Sequence, residues 1–176
     1  MIVRPRNESD LDSCERIARL VHELDGYPAL LTDGLRAFVE GSGFYEAWVA
    51  EVDGQVVGQV LLRPRSSSTV MEMVRQATGL ADDRFGVIAR LFVSPAVRRR
   101  GIGRALLTTA TTAAVSRGLV PVLDVVTKNT AAMALYESMG WARVGTAVVQ
   151  FHDGPVLDEV VYIGPLAPPP GPPLCA

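Results

Sequence analysis

The chain has 176 residues, of which 48% are hydrophobic and 20% are charged, and its formal net charge is −2. This composition is typical of one soluble globular domain and excludes disorder over most of the length. The net charge argues against electrostatic attraction to nucleic acid or to an anionic membrane, and no apolar stretch approaches the roughly 20 residues that span a bilayer.

The first residues and the cysteines predict a cytoplasmic protein. The segment MIVRPRNESD lacks the apolar core of a signal peptide. Cys14 and Cys175 lie near opposite ends of the chain, so we interpret them as reduced thiols of a cytosolic protein. The two histidines and two distant cysteines offer no ligand cluster, and the sequence therefore implies no metal.

The N-terminal segment predicts one strand and two helices. Residues 2–5 form a short strand candidate. Ser9 and Asp12 then offer a capping pair for a helix, because apolar residues recur at helical spacing as far as Leu24. A second, brief helix is predicted at 33–40.

The next segment predicts a hairpin. Asp53-Gly54 separates two valine-rich runs at 45–51 and 55–63, and Asp-Gly between such runs is a strong signal for a tight turn. A loop follows, and residues 70–78 predict a short helix.

A strand, a helix and a second strand then follow at the length of a βαβ unit. The strand at 86–93 stops at a Ser-Pro pair, the helix covers about 102–117, and the second strand covers 120–126. The two strands should therefore be parallel neighbours. The last predicted elements are a helix at 130–139 and an antiparallel pair at 143–151 and 156–163.

Prolines mark the end of the globular part. Six of the 12 prolines fall in the last twelve residues, PLAPPPGPPLCA, which cannot supply regular ladder or helix hydrogen bonds. We predict one domain over 1–166 and a proline-rich flexible tail over 167–176.

An arginine-rich turn with glycines joins the first strand of the βαβ unit to its helix. Glycine lets backbone N–H groups approach a ligand closely, and a helix N-terminus adds partial positive charge. The turn therefore predicts a phosphate or pyrophosphate site, although a solvated basic turn is the plainer interpretation. It matches neither a Walker loop, which needs a lysine here, nor a good dinucleotide fingerprint. Its residues are Arg98, Arg99, Arg100, Gly101, Ile102, Gly103 and Arg104.

Two linked motifs resemble the GNAT family of N-acetyltransferases. The pattern Arg98-x-x-Gly101-x-Gly103, preceded by Leu91-Phe92-Val93 on a strand, resembles the acetyl-CoA signature of that family. The run from Asn129 through Tyr136 to Gly140-Trp141 resembles the second half of the family's core. The core resemblance covers about 86–145, and the order of elements before it agrees with the family.

The resemblance implies a fold and a role for each matching residue. It implies an α/β fold with a mixed, mostly antiparallel sheet of six to seven strands, about four helices and a central βαβ unit. The backbone of Leu91 and Val93 would bind the pantetheine arm of acetyl-CoA, with Phe92 between them. The N–H groups of 99–104 would hold the pyrophosphate, Asn129 would contact the cofactor arm, and Tyr136 would protonate the departing thiolate. Spacing alone favours a core tyrosine on an amphipathic helix for Tyr136, and the family match favours the acid role.

The sequence departs from the family at the general base. Many members carry Glu or Asp on the first parallel strand at the position of Ala89. The base is therefore not assigned by the motif, and the segment 22–28 at the end of the first helix ranks first among the substitutes. No base is needed if the amine arrives partly neutral or if ordered water carries the proton away. The candidates are His22, Glu23, Asp25, Glu72, Asp82, Asp83, Asp124 and His152.

The sequence thus predicts transfer of an acetyl group from acetyl-CoA to a primary amine by direct attack in a ternary complex. We expect a small-molecule or peptide amine as acceptor, no nucleic acid or membrane partner, and a homodimer as a further option. Residues 22–36 and 64–85 are expected to line the amine side of the cleft. The alternative from another class is a non-catalytic acyl-CoA sensor, which Ala89 keeps open. A nucleic-acid binder is the poorer third interpretation.

Overall fold

The computed structural model describes residues 1–29, 34–150 and 155–166. The tail at 167–176 and the candidate base His152 lie outside these ranges. The strands are β1 (Ile2–Pro5), β2 (Glu46–Val52), β3 (Gln55–Arg63), β4 (Phe85–Val93), β5 (Val120–Val126), β6 (Ala142–Gln150) and β7 (Val156–Ile163). The α-helices are α1 (Leu11–Asp25), α2 (Gly34–Glu40), α3 (Ser68–Thr78), α4 (Ile102–Ser116) and α5 (Thr130–Ser138).

The described strands form one seven-stranded sheet in the order β1-β2-β3-β4-β5-β7-β6. The pair β4–β5 is parallel, and the other neighbouring pairs are antiparallel. Helix α4 connects the two parallel strands, so the predicted βαβ unit and the mixed, mostly antiparallel sheet are confirmed. Five α-helices flank the sheet within the described ranges.

Helices cover both faces of the sheet because successive strand residues point to opposite faces. On one face, α4 and α5 pack on a cluster that includes Leu106, Leu123 and Tyr162. On the other face, α1 and α2 pack near Phe92, and α3 packs near Val161. The amphipathic pattern of α1 follows from this arrangement, since its buried residues recur on one side.

The start of α1 differs from the prediction. A short 3₁₀ turn at Glu8–Asp10 precedes the helix, and the backbone N–H of Asn7 donates to the Asp10 carboxylate at 2.7 Å. The predicted capping pair of Ser9 and Asp12 is therefore wrong. The side chain of Asp10 takes that role because Arg4 also donates to it, at 2.7 Å, and this hydrogen bond lowers the pKa of the buried carboxyl.

Candidate active site

The two parallel strands separate after a short paired region. Strands β4 and β5, both fully described, pair from Phe85 to Val87 on one side and from Val120 to Val122 on the other. Beyond these residues the strands continue without mutual pairing to Val93 and Val126. The result is a cleft between the carboxyl ends of β4 and β5, where ligands bind in open α/β sheets.

A β-bulge in β4 lies at this cleft. Gln59 of β3 pairs with Phe92 and Leu61 pairs with Ala89, so β4 contains one extra residue. The extra residue falls next to Arg90, whose φ of 55° lies in the left-handed region. Bulges commonly change the direction of a strand beside a functional site.

The backbone N–H groups beyond the bulge face the cleft. The N–H of Ser94 donates to the carbonyl oxygen of Val57 on β3 at 2.7 Å. Because N–H groups alternate sides along a strand, those of Leu91 and Val93 point away from β3 and toward the cleft. This is the orientation that the predicted binding of a pantetheine arm needs.

The side chain of Arg90 connects the bulge to α2. Its guanidinium donates to the carbonyl oxygens of Ala37, at 3.3 Å, and of Phe38 near the end of α2. It also lies 5.1 Å from the centroid of the Phe38 ring. Gly41 leaves room for this group, since a Cβ there would lie 2.7 Å from a guanidinium nitrogen. The position of α2 therefore depends on a residue at the edge of the cleft.

We expect Arg90→Met to weaken amine binding more than acetyl-CoA binding. Methionine keeps an apolar stem but leaves the Phe38 carbonyl without the guanidinium donor, whereas the Ala37 carbonyl keeps the Gly41 N–H. The lost hydrogen bond costs about 1–3 kcal/mol of stability. Steady-state kinetics should show a several-fold rise in KM for the amine and a smaller change for acetyl-CoA. Equal changes in both constants would show that Arg90 does not act through α2.

The turn before α4 presents backbone donors. Arg99 and Gly101 have positive φ values of 65° and 78°, and Gly101 is the N-cap residue of the 15-residue helix. The first helical bond in this turn joins the Ala105 N–H to the Gly101 carbonyl at 3.0 Å. The N–H groups of residues 102–104 precede that bond, so the helix itself supplies no acceptors for them. This geometry suits an anion such as a pyrophosphate.

The arginines of the turn differ in their contacts. Arg98 forms an ion pair with Asp25 at the end of α1, and its Nε lies 3.5 Å from the Val93 carbonyl oxygen. Arg104 donates to the Ser138 hydroxyl at 2.9 Å. Arg99 and Arg100 are exposed. The ion pair with Arg98 engages the Asp25 carboxylate, which argues against Asp25 as the general base.

Asn129 lies at the start of α5. Its side-chain oxygen accepts a hydrogen bond from the Ala132 N–H at 3.3 Å, so it is an N-cap. The cap uses the oxygen of the side-chain amide, whereas contact with a ligand through a donor would use the nitrogen.

Asn129→Ser separates these two roles. Serine caps a helix nearly as well as asparagine but has no amide nitrogen. We expect the melting temperature to change little and the affinity for acetyl-CoA to fall several-fold in a calorimetric titration. If affinity and turnover both stay at the wild-type level, Asn129 is a cap alone.

Tyr136 is a buried residue of α5. It is 7% exposed, and its ring centroid lies 6.2 Å from that of Trp141 and 5.8 Å from that of Tyr162. Burial raises the pKa of its phenol, with smaller contributions from Tyr27 and Asp124. The phenol is therefore protonated at neutral pH, which is the state of a proton donor.

A carboxyl pair borders the cleft, and the sequence analysis identified only one of its members as a candidate. Asp124 lies two residues beyond the paired part of β5 and accepts a hydrogen bond from the Ser66 hydroxyl at 2.6 Å. Asp124 is opposite Val161, and Glu159 is opposite Val126, so both carboxyls are diagonal neighbours on the same face. Burial raises the pKa of Asp124, and burial followed by the charge of Asp124 raises the pKa of Glu159 to about 7.

Aromatic side chains line the cleft on the face that carries α1 and α2. The Tyr27 ring meets the Phe38 ring edge-on at 5.7 Å, and Phe38 lies 6.4 Å from Phe92. Burial raises the pKa of Tyr27, and the charge of Asp124 contributes after it. His22 Nδ1 lies 3.0 Å from the Pro28 carbonyl oxygen, which fixes the imidazole to the segment that follows α1.

Several other candidate bases have structural partners on the surface. Glu72 pairs with Arg75 within α3, and Asp82 lies 3.5 Å from Arg75. Glu23 and Asp83 are exposed.

The apolar residues of α3 also have a structural explanation. Val70 and Val74 are fully buried against the sheet, so their apolar character reflects packing. Deleting this segment would remove part of the core. Such a deletion is therefore unsuitable as a test of the acceptor surface.

The described residues form neither a metal-ligand cluster nor a membrane-spanning helix. Across 1–29, 34–150 and 155–166, no three His, Cys, Asp or Glu side chains gather in a group that could hold a metal ion. In the same ranges, each helix is too short or too polar to cross a membrane.

Comparison with sequence families gives a match over most of the chain. The profile of the acetyltransferase (GNAT) family matches residues 12–141. N-acetyltransferase 8 of Homo sapiens is 37% identical over 99 residues, which are 56% of this chain and 39% of that protein. N-acetyltransferase family 8 member 3 of Rattus norvegicus is 33% identical over 115 residues, 62% of this chain and 46% of that protein. The match thus spans less than half the length of these curated relatives.

Solved structures share the architecture over nearly the whole chain. The ribosomal-protein-alanine N-acetyltransferase from Brucella melitensis is 25% identical, with a TM-score of 0.69 over 93% of this chain and 98% of that chain. A putative acetyltransferase from Salmonella typhimurium, solved with its cofactor acetyl-CoA, is 22% identical, with a TM-score of 0.70 over 99% of both chains. The second likeness is one of fold.

Proposed function

Because the chain belongs to the acetyltransferase (GNAT) family, we propose that it transfers an acetyl group from acetyl-CoA to a primary amine, by direct attack within a ternary complex. The observation that carries the proposal is the cleft between β4 and β5, which brings outward-facing strand N–H groups and a helix N-terminus to one edge of the sheet.

The residues of this edge fit the parts of acetyl-CoA. The N–H groups of Leu91 and Val93 pair with the amide groups of the pantetheine arm as an added strand would. The turn at 98–104 binds the pyrophosphate through backbone N–H groups, with Arg99 and Arg100 adding positive charge. An N–H group of the β4 bulge polarises the thioester carbonyl, since the negative charge that develops on that oxygen needs a fixed donor.

The amine approaches from the face of the sheet that carries α1 and α2. Tyr27 and Phe38 form an aromatic wall beside the cleft, and the segment after α1 is fixed to α1 through His22. Tyr136 lies on the face that carries α4 and α5, where it protonates the departing thiolate. The acceptor class, a small molecule or a peptide, depends on the segments around α1 and α2.

A kinetic experiment tests the proposal. Acetyl-CoA is incubated with a panel of spermidine, lysine, glycine amide and a peptide with a free N-terminus, and thiol release is measured with a chromogenic disulfide. We expect at least one amine to raise thiol release well above hydrolysis, with intersecting initial-velocity lines that indicate a ternary complex. Parallel lines would indicate an acetyl-enzyme intermediate and contradict direct attack.

The same experiment addresses the second candidate, a non-catalytic acyl-CoA sensor. Ala89 is the observation that favours it, because an acid is missing on β4 where many family members carry one. A sensor would bind acetyl-CoA in calorimetry and release no thiol with any amine of the panel.

A further inference from the structure

The structure places two carboxyls beside the cleft although β4 carries no acid at position 89. Asp124 is half-buried and Glu159 is buried, and they lie on adjacent strands on one face of the sheet. Two carboxylates so close together cannot both ionise easily, so they retain a shared proton at a pH where surface carboxylates have lost theirs.

Resting on the proposed function, we infer that Asp124 and Glu159 act together as the proton acceptor for the ammonium group of the acceptor amine. The pair carries one negative charge before the amine binds, and this charge attracts a cation to a part of the cleft that also holds the Arg63 guanidinium. This inference identifies the acceptor as a primary amine that arrives protonated, such as an aliphatic amine, rather than one that is already neutral.

The position of the pair supports this role. Asp124 lies beyond the point where β4 and β5 separate, and its charge acts on two tyrosines from opposite faces, Tyr27 after α1 and Tyr136 on α5. The hydrogen bond from Ser66 fixes the Asp124 carboxylate at one oxygen and leaves the other for a proton.

The groups that face the pair set its ionisation. Arg63 on β3 favours the ionised form of Asp124, as does the Ser66 hydroxyl. The charge of Asp124 also acts on Tyr27 and Tyr136, and Arg90 on β4 acts on Tyr27. Burial opposes these effects and is the largest of them, so it raises the pKa of both carboxyls. A base with a pKa near the working pH accepts protons efficiently and can release them again.

The proposed step balances in protons and electrons. The ammonium nitrogen gives one proton to the ionised carboxylate, and its freed electron pair forms the C–N bond to the thioester carbon. The C–S bond breaks with its electrons on sulfur, and Tyr136 gives that sulfur its proton. The nitrogen loses its second proton as the amide forms, which restores the phenol. The products are an acetylated amine, a free thiol and one proton that the pair returns to solvent.

The test compares pH profiles of kcat/KM for the best amine of the panel in wild type, Asp124→Asn, Glu159→Gln and the double variant. In the wild type we expect a rising limb near pH 7 in addition to the ionisation of the amine. Each single variant should shift this limb to lower pH, because the remaining carboxyl no longer experiences the negative charge of its neighbour. The double variant should lose the limb and about 100-fold or more in kcat/KM, with acetyl-CoA affinity within twofold of wild type.

Two further variants keep the test independent of folding. Ser66→Ala retains both carboxyls but removes a hydrogen bond to ionised Asp124, so the limb should move to higher pH. Asp158→Asn changes the exposed neighbour of Glu159 on the same strand and should leave the profile unchanged. Melting temperatures measured alongside identify any variant that does not fold.

The outcomes separate this inference from the proposed function. If the wild type acetylates an amine and the folded double variant keeps its rate and pH profile, the pair has only a structural role and the inference is overturned. If the double variant loses acetyl-CoA affinity and amine turnover equally, the pair supports the cleft in general, and the inference is also overturned. If the wild type acetylates no amine, the proposed function itself fails.

Discussion

Replacing Tyr136 with phenylalanine is expected to lower kcat about 100-fold while the affinity for acetyl-CoA stays nearly constant. The substitution removes one hydroxyl and keeps the ring that packs on Trp141 and Tyr162. The thiolate would then leave without its proton donor, so the loss should appear in kcat. Single-turnover kinetics of thiol release measure this step directly.

Tyr162 supplies the matched control for this variant. Its ring lies in the same aromatic cluster, but its hydroxyl donates to the Glu137 carboxylate at 2.9 Å and is thus engaged away from the thioester. Tyr162→Phe should retain most of the turnover. If the two variants lose activity equally, or if Tyr136→Phe keeps full turnover when chemistry limits the rate, Tyr136 is a packing residue.

Replacing Gly101 with alanine is expected to weaken acetyl-CoA binding about tenfold. Gly101 has a φ of 78°, where an alanine is strained by about 1–2 kcal/mol. Without ligand the turn can relax and relieve this strain. The strain returns when the N–H groups must converge on the pyrophosphate. A binding cost of about 1.4 kcal/mol lowers the affinity for acetyl-CoA about tenfold. Calorimetric titration with acetyl-CoA measures the change.

Gly118 at the other end of α4 is the control for strain alone. Its φ is 73°, and a Cβ would meet no atom within 4 Å at either glycine. Gly118→Ala should therefore reduce the melting temperature of the free protein at least as much as Gly101→Ala but leave acetyl-CoA affinity unchanged. Equal affinities for the two variants would remove the turn at 98–104 from the binding site.

Local signals were sufficient for most of the fold. The Asp53-Gly54 turn, the strand before the arginine-rich turn and the helix after it depend on residues close in sequence, and the structure confirms each of them. The helix start near Asn7 could not be predicted from spacing alone, because Asp10 is fixed by Arg4 on a neighbouring strand.

The candidate site could be predicted from the sequence in its backbone part and not where it depends on strand order. Binding of acetyl-CoA by these backbone groups stays a prediction. The predicted binding segments 91–93 and 98–104 do meet at one edge of the sheet. Glu159 was missed because β7 lies between β5 and β6, an arrangement that no local pattern indicates. The sequence did contain one signal for Glu159, because it is an acidic residue next to the valines of a predicted strand. The contact of Arg90 with α2 spans 52 residues and likewise follows only from the assembled fold.

The most direct test of the central claim follows the acetyl group itself. Wild-type protein is incubated with acetyl-CoA carrying a ¹³C-labelled acetyl group and with the best amine of the panel, and the products are analysed by mass spectrometry. The account predicts labelled acetyl on the amine nitrogen in equal amount to the thiol released. Acetyl-CoA that binds tightly but leaves every amine unlabelled would contradict it and identify the cleft as that of an acyl-CoA sensor.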